Sequence, residues 1–146
     1  MKIYIASDHA GYDLKETLND YLSELGYESE DFGPLVFDGN DDYPDFVRLV
    51  AEAVVRNTKG SMGIVIGGSG QGEAVVCNRV KGIRAGVFYG GNLELVKLMR
   101  EHNDANVISL GARFMAPKEA KEAVKIFLET KFSGDERHIR RIKKID

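Results

Sequence analysis

A single cysteine, Cys77, leaves the chain without an internal disulfide, so nothing in it depends on an oxidising compartment. Long hydrophobic runs are also missing. The apolar opening MKIYIA breaks at Ser7-Asp8-His9, too soon for a signal peptide or a membrane span, and a cytoplasmic protein is expected. Only three histidines occur, His9, His102 and His138, and no pair has the close spacing of a zinc site, so no metal is expected. Basic charge is scarce early: residues 1–60 carry 13 acids against 5 Lys+Arg, and the remainder 10 against 15. Five basic residues crowd into RHIRRIKK, Arg137 to Lys144, which is too local to form a nucleic-acid-binding face. There is no internal repeat and no low-complexity tract.

What is present fits one domain of 146 residues. KIYIA (Lys2 to Ala6) reads as a strand, and Leu14, Leu18, Tyr21, Leu22 and Leu25 then fall at helical spacing until Gly26. YESEDF (Tyr27 to Phe32) is a more polar strand candidate, followed by a turn-rich loop to Tyr43. Pro44 opens a helix with Phe46, Val47, Val50, Ala51, Val54 and Val55 along one stripe. MGIVIG (Met62 to Gly67) is continuously apolar, as a central parallel strand covered on both faces would be. A glycine loop and a helix from about Gly72 to Val80 follow. Strands at Ile83 to Tyr89 and Asn106 to Leu110 flank a helix containing Leu93, Val96, Leu98 and Met99. Pro117 opens another helix, and a short basic helix starts at Asp135. The alternation predicts a Rossmann-like, doubly wound α/β fold: a mostly parallel five-stranded sheet with helices on both faces and ligands beyond the carboxyl ends of the strands.

Reactive groups follow the strands at Ser7-Asp8-His9-Ala10-Gly11, at the loop GGSGQGE (Gly67 to Glu73) and at Gly111-Ala112-Arg113. A fourth group, Arg100-Glu101-His102-Asn103-Asp104, falls between a helix and a strand. The glycine loop lacks both the dinucleotide-binding spacing and a Walker lysine, so a nucleotide cofactor is not expected. Its amides still favour an anion, yet Glu73 follows at once. That pairing makes sense if the anion is transient: the loop serves as an oxyanion hole for an enediolate, and Glu73 is the base that removes a proton beside a carbonyl. A first-turn glutamate that merely stabilises its helix is the alternative. Arg137 and Arg141 lie one turn apart with His138 beside them, placed to grip a phosphate or to form a solvated basic helix end. Asp8 could equally cap a helix, Arg113 could be a surface ion-pair partner, and Cys77 reads as buried packing rather than a reactive thiolate.

Taken together, SDHAG, GGSGQGE, NRVKGIRA, REHNDANVISLGAR and RHIRR, in order over nearly the entire chain, resemble ribose-5-phosphate isomerase type B, a family that includes isomerases of six-carbon sugar phosphates. The resemblance implies cofactor-free interconversion of an aldose phosphate and a ketose phosphate through a cis-enediolate, in a homodimer or a tetramer with shared sites. It implies that His102 opens the sugar ring, that Glu73 moves the proton between C1 and C2, and that Ser69 with the Gly68, Gly70, Gln71 and Gly72 segment steadies the enediolate. Asp8 and Asn103 would contact sugar hydroxyls, and His9, Arg113, Arg137, His138 and Arg141 would surround the phosphate, with Arg140 nearby. Some members carry a cysteine base where this chain has Gly67, and the segment Phe88 to Asn92 is slightly longer than the commoner pattern. Ribose 5-phosphate is the expected substrate, with allose or galactose 6-phosphate, or non-catalytic binding of a sugar phosphate, as alternatives.

Overall fold

Side-chain alternation along the central strand sets the layers. In β3 (Ser61–Gly67), Ile64 and Ile66 join one buried cluster while Val65 joins another, because successive residues of a strand point to opposite faces. A computed structural model describes residues 1–146. Beside β3 lie β1 (Lys2–Ser7), β2 (Glu28–Asp31), β4 (Ala85–Phe88) and β5 (Val107–Gly111), in the order β2-β1-β3-β5-β4. Every neighbouring pair is parallel, so the expected mostly parallel sheet is fully so.

One face is covered by α1 (Tyr12–Glu24), α4 (Glu94–Asn103) and α5 (Pro117–Glu129), whose Leu14, Leu18, Leu22, Val96, Ala120, Val124 and Phe127 pack on Ile3, Ile5, Ile108 and Leu110. The other carries α2 (Tyr43–Arg56) and α3 (Gln71–Cys77), with Val47, Val50, Val54, Val76 and Cys77 against Ala6, Val65 and Val107. A short helix, α6 (Glu136–Ile142), closes the chain, its N-terminus capped by Asp135, which accepts the Arg137 N–H at 2.9 Å. Prolines stand in the first turns of α2 and α5, where a missing N–H costs nothing.

Differences from the sequence reading lie at element ends. The helix after the glycine loop stops at Cys77 rather than Val80, and Val75 is exposed while Cys77 is buried. Burial pushes the Cys77 thiol up to about 12, which keeps it protonated and inert. The strand expected at Ile83 to Tyr89 shortens to four residues, although Ile83 is still buried. The polar strand β2 forms because its partner neutralises it: Lys2 Nζ reaches Glu30 at 2.6 Å and Glu28 at 3.5 Å across the β1–β2 ladder.

One lysine is buried in an ion pair. Lys15 of α1, its side chain fully enclosed, donates to Asp31 at the end of β2 and to Glu16 at 2.8 Å. Asp31 also receives Asn19 at 2.9 Å and the Gly33 N–H at 2.7 Å. Removing Asp31 leaves the enclosed Lys15 ammonium only the exposed Glu16 as a partner. Asp31→Ala is therefore expected to lower the unfolding free energy by about 3 kcal/mol in urea titration, and Lys15→Met, which leaves Asp31 its other donors and some solvent, by less.

Candidate active site

Between β1 and β3 the winding reverses: the chain leaves β1 toward β2 on one side and leaves β3 toward β5 and β4 on the other. Loops diverge at such a switch point and open a crevice at the carboxyl edge. Here it is a cleft of about 510 Å³ lined by Asp8, His9, Ala10, Tyr43, Gly68, Ser69, Gly72, Glu73, Arg113 and Phe114. Three of the four sequence-selected groups meet in it, since each follows a strand.

The glycine loop is held from behind. Gly67 and Gly68 carbonyls accept the Ala112 and Arg113 N–H groups at 2.9 and 3.1 Å, and Ser109 Oγ donates to the Gly70 carbonyl at 2.6 Å. Gly70 adopts φ 78°, a left-handed conformation that turns the chain into α3 without a β-carbon clash. Ser69 Oγ accepts the Gln71 N–H at 3.3 Å. Gly70 and Gln71 shape the loop without lining the cleft.

Glu73, in the first turn of α3, is 4% exposed. Its carboxylate occupies the space a side chain at Gly67 would need, so any β-carbon there would overlap it. Burial pushes the Glu73 carboxyl above its ordinary value, the Asp8 charge adds to this, and its own backbone N–H works the other way. Burial thus outweighs the help expected from the helix N-terminus, and the result is a stronger base.

Asp8 is 7% exposed and does act as a cap: Oδ1 accepts the Gly11 N–H at 3.2 Å in the 3₁₀ turn before α1. Arg113 is exposed, forms no ion pair within the chain and lies over Gly68. Two contributors escaped sequence reading, Tyr43 of α2 and Asp41 of the preceding loop. Asp41 lies 2.7 Å from His9 Nδ1, and donor atoms of Asp8, His9 and Asp41 fall within 4.8 Å of one another. Tyr89, in the segment Phe88 to Asn92, reaches the rim of the cleft, where it meets Phe114 edge to face at 6.3 Å.

The remaining candidates lie elsewhere. Arg100 to Asn103 form the last turn of α4 rather than a connection, and Asp104 caps it at φ 45°. A helix joining parallel strands runs back to the amino edge of the sheet, so His102 and Asn103 sit a strand length from Glu73, roughly 15 Å along five residues. The His138 ring stacks on His102 at 4.3 Å, and burial first, then His102 and Arg137, hold His138 below its ordinary value. Arg137, Arg140 and Arg141 are exposed on α6. Arg84 secures this corner: Nε donates to the Asn103 and Asp104 carbonyls at 2.9 Å each, and Nη2 pairs with Asp104 at 3.1 Å. Arg100 Nη1 pairs with the other Asp104 oxygen at 2.9 Å. Arg84→Ala is expected to cost about 2 kcal/mol in chemical denaturation, the worth of charge-assisted bonds to carbonyls.

Known proteins share this fold. The family model described as Ribose/Galactose Isomerase matches residues 3–145. Ribose-5-phosphate isomerase B of Mycobacterium tuberculosis is 41% identical over 142 residues, 97% of this chain and 86% of that protein. The crystal structure of ribose-5-phosphate isomerase B from Mycoplasma genitalium with bound ribulose-5-phosphate superposes with a TM-score of 0.94 at 42% identity, covering 99% of this chain and 93% of that one. The Clostridium thermocellum ribose-5-phosphate isomerase B gives 0.92 at 44% identity, covering 99% and 95%. A match that runs from the first strand to the last helix, on a sheet whose switch point holds the glycine loop and its buried glutamate, makes this chain a member of the ribose/galactose isomerase family, on its ribose-5-phosphate isomerase B branch.

Proposed function

We propose that the protein interconverts ribose 5-phosphate and ribulose 5-phosphate through a cis-enediolate, with Glu73 as the base. Moving one hydrogen between adjacent carbons needs no external electron carrier, so acid–base groups suffice. The observation that carries this reading is the burial of Glu73 against Gly67, lining the cleft at the switch point of the sheet in a chain of this family. A carboxylate poor in water and close to a loop of amides takes a proton from carbon while the loop meets the developing oxyanion. Ser69 and the Gly68 and Gly72 amides, which line the cleft, are assigned that second role, and Asp8 a sugar hydroxyl.

The phosphate end falls to His9 and Arg113, which keeps a permanent dianion off the carboxylate and uses its binding to orient the reacting carbons. His102, Asn103, Arg137, His138 and Arg141 complete the site from a second copy of the chain. Within one chain they lie at the opposite edge of the sheet, so a shared site in a homodimer is the arrangement that unites them. His102 opens the furanose ring and Asn103 holds a hydroxyl.

Glu73→Gln is expected to lower kcat by about a thousandfold in an assay of ribose 5-phosphate turnover while substrate binding persists. Allose and galactose 6-phosphates serve as comparison substrates and are expected to turn over more slowly. Because the folded Glu73 pKa is raised, this group contributes stability below its unfolded value and loses it as pH rises through the folded value. Glu73→Gln should therefore melt at a higher temperature than the native chain near neutral pH, with the gain vanishing in acid. In the native enzyme, kcat/KM should fall on acidification at a pH above the ordinary carboxylate range. Sharing is tested by mixing Glu73→Gln with His102→Ala: random reassociation of a twofold dimer restores about a quarter of the native sites, whereas a site contained in one chain restores none.

A further inference from the structure

The loop between β2 and α2 places one carboxylate against the cleft that neither the sequence motifs nor the proposed chemistry uses. Asp41 Oδ1 accepts the His9 backbone N–H at 3.0 Å and lies 2.7 Å from His9 Nδ1, across 32 residues of sequence. The Asp41 side chain is 6% exposed, and its second oxygen is buried without a hydrogen-bond partner. His9 therefore supplies every hydrogen bond this carboxylate receives. A carboxylate only accepts, so Nδ1 carries hydrogen, and Nε2 is the ring nitrogen left for the cleft that His9 lines. Phe37, from the same loop, stands edge-on to the imidazole at 6.5 Å and 86°, and Tyr12 stands edge-on to Phe37 at 6.0 Å, which limits how the ring can turn.

We propose that Asp41 is a positioning residue for the phosphate end of the site: it holds His9 in one orientation and as an imidazolium, so that Nε2–H donates to the phosphoryl group of the substrate. This rests on the reading that His9 meets the phosphate. The groups facing His9 are Asp8, Asp41 and Arg113. The Asp41 hydrogen bond is the largest influence and raises the imidazole above its ordinary value; burial opposes it, the Asp8 and Asp41 charges add to it, and Arg113 subtracts. A buried half-carboxylate with no other partner is a strong reason to keep the proton on its neighbour.

Two variants test this. Asp41→Asn preserves shape and removes charge, whereas Asp41→Glu restores charge on a longer arm. In the protein without substrate, the NMR titration midpoint of His9 should drop in Asp41→Asn and recover in Asp41→Glu. At about pH 8, Asp41→Asn should raise KM for ribose 5-phosphate and the inhibition constant of inorganic phosphate by about tenfold, leaving kcat within about twofold; toward lower pH, where a larger share of the imidazole is protonated in both proteins, the penalty should shrink. An unchanged His9 midpoint, or a fall in kcat at constant KM, overturns the proposal. Native protein that neither turns over ribose 5-phosphate nor binds phosphate overturns the functional reading, while the His9 titration still decides whether Asp41 holds that proton.

Discussion

The site depends on one exclusion: the Glu73 carboxylate lies where a side chain at Gly67 would have to be. Gly67 is the last residue of the central strand, flanked by β1 and β5, so it cannot move aside. Without a β-carbon at that point, the first turn of α3 can fold its glutamate back over the strand end instead of projecting it into water. The same close packing removes solvent from the carboxylate and strengthens it as a base. A side chain at position 67 and the Glu73 carboxylate in this place exclude each other.

Around that contact the topology sorts charge. Reversal of winding between β1 and β3 gathers Asp8, His9, the glycine loop and Arg113 at the carboxyl edge. The return of α4 carries His102 and Asn103 to the amino edge, where Arg84, Arg100 and Asp104 fix them with bonds to the helix end. A chain with half of its reactive groups at each end of one sheet has two incomplete surfaces. In the proposed shared-site arrangement, pairing two copies would complete both without any change of fold.

Much of this was legible in the sequence because it is governed by local chemistry. The apolar run Met62 to Gly67 marked the central strand, Pro44 and Pro117 marked helix starts, and clustered glycines ahead of Glu73 marked the loop. What was not legible depends on where the chain returns. The strand β2 is polar and holds its place through Lys2 on the neighbouring strand and through Lys15 beneath it, neither of which a periodicity shows. Asp41 sat in a stretch of turn-forming aspartates, and nothing local separates it from Asp38 or Asp42; only the folded loop brings it to His9. The placement of His102 was accessible in principle, since a helix between parallel strands must end at the amino edge.

The central claim is that the transient negative charge forms beside Glu73 and the fixed one is held apart from it. A crystal structure of the protein with ribulose 5-phosphate bound tests this most directly. C1 and C2 should lie against the Glu73 carboxylate and the glycine loop, with the phosphoryl oxygens on His9 and Arg113. Phosphoryl oxygens seated on the Gly68 to Gly72 amides, with Glu73 remote from C1 and C2, would contradict it.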